Sequence, residues 1–152
     1  MPGAAALTNI HASAVVLGDR GIVITGAAGA GKTQLALALI CYAEAAGSFG
    51  RLVADDQLFL SEHGGRLVAH APDTIAGLVE ARGIGPVRIA FERKAPVDLV
   101  VRLVGRDAAE RLPQPKTETL LGCELPLLEL GLVDRQAAVN AIAARLAVAP
   151  FG

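Results

Sequence analysis

The chain has 152 residues and a formal net charge of −1, and 53% of its residues are hydrophobic although only 3% are aromatic. This length indicates a single domain over 10–148 behind a short tail of 1–9. The near-neutral charge indicates no basic surface of the kind that binds nucleic acid or an anionic membrane. No apolar stretch is long enough to span a bilayer. No signal peptide is expected. The two cysteines, Cys41 and Cys123, lack the spacing of metal ligands, so they are expected to be reduced core residues of a cytoplasmic protein.

The first half of the chain alternates predicted strands with glycine-rich turns. Strands are predicted over 10–17 and 21–25, joined by a hairpin turn at 18–21. Apolar residues lie almost all round the segment 32–44, which predicts a buried helix. A short buried strand over 51–54 then stops at two acidic residues. The runs 57–60 and 66–69 predict a second hairpin around His63-Gly64-Gly65.

The second half is more mixed. A helix is predicted over 74–81, with Asp73 as its N-cap and Gly83 as its stop. Strands are predicted over 87–90 and 97–104, and the polar segment 110–118, with two prolines, is predicted as a loop. Asp134 is the expected cap of a last helix over 135–148. These elements and the aliphatic composition predict an α/β fold in which helices cover a mixed central sheet.

A complete phosphate-loop motif lies between the strand 21–25 and the helix 32–44. The string is Gly26-Ala27-Ala28-Gly29-Ala30-Gly31-Lys32-Thr33, which matches G-x-x-x-x-G-K-[ST]. Its glycines allow backbone N–H groups to point at a phosphate, and the helix N-terminus adds a favourable field. Lys32 reaches the β and γ phosphates, and Thr33 ligates Mg²⁺. The alternative, a glycine-rich turn, has no need of Lys32 and Thr33.

Three further features are ambiguous on their own. Asp55 and Asp56 follow a predicted strand, where a nucleotide-binding sheet places carboxylates near Mg²⁺ or the attacking hydroxyl. Side chains alternate along an extended backbone, so the two acids are expected to face different ways and to take different roles. A solvated acidic turn is the alternative. Likewise, 80–85 can be an ordinary helix end, and His11 can be an ordinary strand histidine.

Taken together and in this order, these residues resemble the kinase domain of HPr kinase/phosphorylase. The resemblance runs from about residue 10 to about residue 146 and includes His11, the phosphate loop, Val53-Ala54-Asp55-Asp56, Ala71-Pro72 and Glu80-Ala81-Arg82-Gly83-Ile84-Gly85. The phosphate loop is generic to many nucleotide enzymes. The paired acids and the E-x-R-G-x-G string, with its Arg82, Gly83 and Gly85, are more specific.

The resemblance implies a cytoplasmic protein-serine kinase that uses ATP and Mg²⁺ to phosphorylate an HPr-like phosphocarrier protein. It also implies a P-loop α/β fold similar to phosphoenolpyruvate carboxykinase and a homo-oligomer, since the family tends to form hexamers. By this resemblance, Lys32 binds phosphate, and Thr33 and Glu80 ligate Mg²⁺. Asp56, with Asp55 beside it, accepts the serine proton. His11 matches the active-site histidine, and Arg111 matches an arginine that acts on the transferring phosphoryl group.

Two departures from the family pattern modify this expectation. Only about ten residues precede His11, so we expect a truncated form that lacks the family's N-terminal domain. The family's P-V-R-P-G-R loop, tied to dephosphorylation, corresponds here to 130–135, which holds one arginine, Arg135. Weak or absent phosphorylase activity is therefore expected. A nucleotide-sensing module with little phosphotransfer and a small-metabolite kinase remain as alternatives.

Overall fold

The computed structural model describes residues 6–105, 114–131, 134–148 and 151. Twelve strands and two α-helices lie within these ranges. In chain order they are β1 (Thr8–Ile10), β2 (Ser13–Leu17), β3 (Arg20–Gly26), α1 (Lys32–Ala45), β4 (Gly50–Ala54), β5 (Leu58–His63), β6 (Arg66–His70), β7 (Leu78–Ala81), β8 (Gly85–Arg88), β9 (Lys94–Pro96), β10 (Leu99–Val104), β11 (Lys116–Leu120), β12 (Cys123–Gly131) and α2 (Arg135–Arg145). None of the described helices is long and apolar enough to cross a membrane.

The described elements pack in three layers. The middle layer is a six-stranded sheet in the order β11-β12-β10-β3-β2-β4. Its strands β3, β10 and β12 are parallel to one another, whereas β2 and β11 run antiparallel to their neighbours. Helices α1 and α2 pack on one face, and the four-stranded antiparallel sheet β1-β5-β6-β9 packs on the other. The predicted α/β class with a mixed central sheet is confirmed.

Burial on both faces explains why the central strands are apolar at successive positions. On β3, Ile22 and Ile24 belong to the core cluster under the helices, whereas Val23 belongs to the cluster shared with the second sheet. Side chains alternate between the two faces of a strand, so a strand covered on both sides needs apolar residues at every position. The central sheet is thereby held rigidly between two cores.

One edge of this sheet collects the predicted site residues. β3 and β4 both end there, while β2, which is antiparallel to both, begins there. The register places Ser13 opposite Ile24 and Ala14 opposite Ala54. The phosphate loop after β3, the acids after β4 and the histidine before β2 therefore meet, although they are distant in sequence.

The prediction of a helix over 74–81 is wrong. The chain makes a single 3₁₀ turn at Asp73–Ile75, whose N-cap is Pro72 and not Asp73, and then enters β7. Gly77 ends the turn with a φ of 74°, and a Cβ there would lie 2.7 Å from the Phe91 ring. This close approach and left-handed backbone divert the chain into the two-stranded ribbon β7-β8. Glu80 thus lies on a strand and not at a helix end.

Other expectations also need correction. The end of the predicted loop 110–118 belongs to β11, an edge strand that exposes Lys116, Thr117 and Thr119 while its backbone pairs with β12. Helix α2 ends at Arg145 instead of continuing to 148, although Asp134 caps it by accepting a hydrogen bond from the Gln136 N–H as predicted. Cys123 is buried, but Cys41 is exposed on α1, because this helix buries only the face that meets the sheet and α2. Both cysteines are free thiols.

Candidate active site

The phosphate loop leads from β3 into the first turn of α1. Gly31, the N-cap of this helix, has a φ of 98° and has no side chain that could cap the N–H groups of the first helical turn. Gly26 has a φ of 150°, and a Cβ there would lie 3.0 Å from the Leu103 carbonyl oxygen. Glycine is therefore required at both positions, and the N–H groups of the first turn are available to an anionic ligand.

Lys32 is buried at the centre of this loop. It is 6% exposed, and its Nζ donates hydrogen bonds to the carbonyl oxygens of Gly26 and Ala27, both at 3.0 Å. These carbonyls satisfy the ammonium group only partly, because it carries three N–H donors. Phosphate oxygens are stronger acceptors for such a cation than neutral carbonyls, so the loop geometry suits a triphosphate.

The two acids after β4 have different surroundings, as predicted, but the reason differs: β4 ends at Ala54 and Asp56 has a φ of 72°, so alternation along an extended strand does not continue through the pair. Asp55 is buried, and its Oδ1 accepts hydrogen bonds from Thr33 Oγ1 and from Ser13 Oγ, both at 2.8 Å. The side chain of Asp56 is 63% exposed, and its Oδ1 lies 3.2 Å from Nε2 of His11. One carboxylate is thus hydrogen-bonded to the threonine of the phosphate loop, and the other faces the open cleft.

Ser13 was not predicted as a site residue. It is fully buried at the start of β2, where its hydroxyl donates to Asp55 and accepts a hydrogen bond from the Asp56 backbone N–H at 3.1 Å. The signal in the sequence is slight: one hydroxyl at the head of a strand whose remaining residues are all apolar. Its importance depends on β2 and β4 being neighbours, which local sequence does not reveal.

A cleft of about 570 Å³ lies over the phosphate loop and brings most of the predicted residues together. Its described lining residues are His11, Ala28, Gly29, Gly31, Lys32, Thr33, Gln34, Asp56, Glu80, Arg82 and Gly83. Gly85 is not among them; it begins β8 with a φ of 106° and closes the turn from β7. Arg111 lies outside the described residues.

The ribbon β7-β8 places Glu80 and Arg82 at the cleft. Val79 is buried in the core under the helices, with Val87 and Ile89 packed against that core, whereas the neighbouring Glu80 is exposed. The buried valine anchors the ribbon, and the period of two along a strand turns Glu80 outward. Glu80 also lines a second, adjoining depression together with Asp55 and Asp56.

The donor set of the cleft suits Mg²⁺ better than a transition metal. Thr33, Asp55 and Glu80 offer hydroxyl and carboxylate oxygens, and no group of three or more His, Cys, Asp or Glu within the described ranges is arranged as a metal centre. Mg²⁺ is usually bound through one or two carboxylates together with substrate phosphates and water. The residues present therefore fit a magnesium–nucleotide complex.

Fold and site together define an α/β domain with a mixed central sheet and a phosphate-loop motif that has a pair of carboxylates beside it. The sequence model of the HPr Serine kinase C-terminal domain matches residues 4–147. The HPr kinase/phosphorylase of Bordetella pertussis is 36% identical over 137 residues, which cover 82% of this chain and 42% of that protein. The HPr kinase/phosphorylase of Lactobacillus acidophilus is 30% identical over 135 residues, which cover 80% of this chain and 40% of that protein.

A solved structure agrees with these sequence matches. The Hpr(Ser) kinase/phosphatase from Coxiella burnetii superposes with a TM-score of 0.78 at 25% identity, covering 91% of this chain and 96% of that chain. The chain belongs to the HPr serine kinase C-terminal domain family. It spans less than half the length of the curated relatives named above.

Proposed function

We propose that this chain transfers the γ-phosphoryl group of ATP to a serine hydroxyl of an HPr-like phosphocarrier protein. The observation that carries the proposal is the divided carboxylate pair: Asp55 is tied to Thr33 of the phosphate loop, while Asp56 faces the cleft beside His11. A site for both nucleotide and acceptor needs this division between a group near the phosphates and a free base.

The phosphate side of the reaction is assigned to the loop and its neighbours. Lys32 and the N–H groups of the first turn of α1 hold the β and γ phosphates. Thr33, with Asp55 and Glu80 nearby, holds Mg²⁺. When bound, Mg²⁺ would neutralise the charge of the β and γ phosphates.

The acceptor side is assigned to Asp56. A bond forms between the serine oxygen and the γ-phosphorus, the bond from this phosphorus to the ADP oxygen breaks, and the serine proton passes to the Asp56 carboxylate. His11, 3.2 Å from that carboxylate, keeps it directed at the hydroxyl. We assign Arg111 to the transferring phosphoryl group on the family resemblance alone.

The openness of the cleft supports an acceptor carried by a protein. The side chains of His11 and Asp56 are 52% and 63% exposed, so within the described residues nothing covers the proposed base. A serine on the surface of another protein can reach such a base, whereas small-metabolite kinases commonly enclose their acceptor. The names of the relatives, HPr kinase/phosphorylase, point to the same acceptor.

The remaining proposals rest on the family resemblance. They are a cytoplasmic homo-oligomer, with a hexamer as the expected form, a fold related to phosphoenolpyruvate carboxykinase, and phosphorylase activity weaker than kinase activity. Sedimentation of the purified chain tests the first of these, and a monomer at all concentrations would contradict it.

The central test uses the purified chain with labelled ATP and Mg²⁺, with an HPr-like protein and with the same protein carrying alanine in place of its acceptor serine. Label is expected on the unmodified acceptor only. ATP binding without transfer would establish a sensor module instead, and transfer to a small hydroxyl compound but not to protein would establish a metabolite kinase.

A further inference from the structure

We infer that Ser13 is a positioning residue for the Asp56 carboxylate, an inference that rests on the proposed phosphotransfer function. The Ser13 hydroxyl links the two acids that have different roles. It donates to Asp55 Oδ1 at 2.8 Å and accepts from the Asp56 backbone N–H at 3.1 Å. Ser13 is 0% exposed, so bulk water cannot take over these bonds.

The backbone of Asp56 requires this support. Asp56 has a φ of 72°, one of the few non-glycine residues in the described chain with a positive φ. A left-handed backbone costs free energy for a residue with a Cβ, even for aspartate, and persists when surrounding contacts hold it. The hydrogen bond from the Asp56 N–H to Ser13 is such a contact, because it fixes the peptide that leads into the turn.

The direction of the Asp56 side chain depends on the same turn. With φ at 72°, the carboxylate reaches Nε2 of His11 at 3.2 Å and faces the cleft. His11 lies two residues before Ser13 on the same chain segment. Ser13 therefore holds Asp56 against the segment that also carries its histidine partner.

The contact of Ser13 with Asp55, unlike its contact with the Asp56 N–H, is shared with a second donor. Thr33 and Ser13 donate to the same oxygen, Asp55 Oδ1. A Thr33 hydroxyl that ligates Mg²⁺ through its oxygen can still donate to Asp55, because a hydroxyl has one donor besides its acceptor lone pairs. Asp55 therefore keeps a donor when the Ser13 hydroxyl is removed, whereas the Asp56 N–H loses its hydrogen bond to Ser13. The effect of removing the Ser13 hydroxyl on catalysis is therefore expected to pass through Asp56.

The test is a double-mutant cycle with Ser13→Ala and Asp56→Asn, read out as kcat and KM for transfer from ATP to the HPr-like protein. Ser13→Ala alone is expected to lower kcat by about tenfold to a hundredfold, the effect of a misplaced catalytic group, with little change in KM for ATP. In the Asp56→Asn background, the same change is expected to have no further effect on kcat, because its action passes through Asp56.

Ser61→Ala is the matched control, since Ser61 is also 0% exposed and hydrogen-bonded but lies on β5, away from the cleft. It is expected to change stability and leave kcat near the wild-type value. Ser13→Thr, which restores a hydroxyl, should recover kcat relative to Ser13→Ala. If Ser13→Ala does not fold, Ser13→Cys, with its weak S–H donor, replaces it in the cycle.

The outcomes separate the two levels of the hypothesis. An equal loss of kcat in both Asp56 backgrounds, or an unchanged kcat in Ser13→Ala, overturns the positioning role and leaves the kinase function intact. No transfer by the wild-type chain overturns the proposed function and the positioning role together.

Discussion

At the scale of single residues, Lys32 is the clearest case of a buried charge placed for a ligand. Lys32 is 6% exposed, and its ammonium donates to two carbonyl oxygens, which as neutral groups compensate the buried charge only partly. Replacing Lys32 with alanine should leave a folded protein and weaken ATP binding by about ten- to a hundredfold, the range for hydrogen bonds between charged groups. Calorimetric titration with ATP and Mg²⁺ measures this change.

The control for Lys32→Ala is Lys94→Ala, which removes an exposed cation from β9, outside the cleft. This variant should bind ATP as the wild type does. Equal affinities of the wild type and Lys32→Ala would show that the loop is not the nucleotide site.

Asp56 supplies the second prediction at this scale. A serine hydroxyl is a poor nucleophile until a positioned base can take its proton, so Asp56→Asn should keep ATP affinity but slow transfer by about a hundredfold or more. Single-turnover transfer, measured beside calorimetric ATP binding, separates the two effects. Asp19→Asn, which neutralises a 96% exposed carboxylate between β2 and β3, is the control. If Asp56→Asn transferred phosphate at the wild-type rate, Asp55 and Asp56 would be an ordinary solvated acidic turn without a catalytic base.

At the scale of elements, the hairpin β5-β6 carries a titratable cluster that should affect stability and not catalysis. The Ser61 hydroxyl lies 2.7 Å from Nε2 of His63 and 2.6 Å from Nε2 of His70. Burial lowers the pKa of His70, and the nearby charges of Lys94 and His63 lower it further. A neutral His70 is therefore favoured in the folded state.

This shift predicts a specific dependence of stability on pH. Because the folded-state pKa of His70 lies below its unfolded value of about 6.5, the unfolded chain binds this proton first as pH falls. The free energy of unfolding should be fully retained above pH ~6.5 and should decline as pH drops from there toward the folded-state pKa. Urea unfolding at about pH 7.5 and 5.5 measures the decline.

Two variants test the origin of that decline. His70→Gln should show a smaller loss of stability between these pH values than the wild type, because the titrating group is gone. Lys94→Met should also reduce the loss, since removing this charge raises the pKa of His70. A decline of the same size in all three proteins would mean that other groups cause it.

At the scale of the whole molecule, the distribution of cations around the cleft bears on the direction of the reaction. Phosphorolysis requires inorganic phosphate to bind next to a phosphoserine, so two anions must lie side by side. Among the described lining residues, the groups that can carry positive charge are Lys32, Arg82 and His11. Arg135, the remaining arginine of 130–135, begins α2 next to the acidic Asp134.

We therefore expect phosphotransfer from ATP to be much faster than phosphorolysis. The measurement supplies phosphoserine-bearing HPr-like protein with excess phosphate and follows the release of pyrophosphate. Turnover equal to the forward rate would show that cations outside the described lining, including those of a neighbouring subunit, serve the reverse reaction.

The sequence alone determined the features that depend on local spacing. The phosphate loop, the hairpins at 18–21 and 63–65, the helix from Lys32 and the Asp134 cap all follow from motifs, turn residues and periodicity within a few positions. The sequence also predicts different surroundings for Asp55 and Asp56, but these arise from the left-handed backbone of Asp56 and not from alternation along a strand.

The tertiary structure decided the features that depend on pairing between strands and on contacts between segments that are far apart in the chain. Segment 74–81 has an acceptable helix pattern, but the Phe91 ring, beside Gly77 in space, and the pairing of β7 with β8 make it a turn and a strand. The polar start of β11 becomes a strand only because β12 offers it a partner. Ser13 gains its place between the two acids because β2 lies next to β4. Strand pairing overrides local propensity in segment 74–81 and in β11, and the Ser13 contacts join residues far apart in the chain, which leaves little trace in any short stretch of sequence.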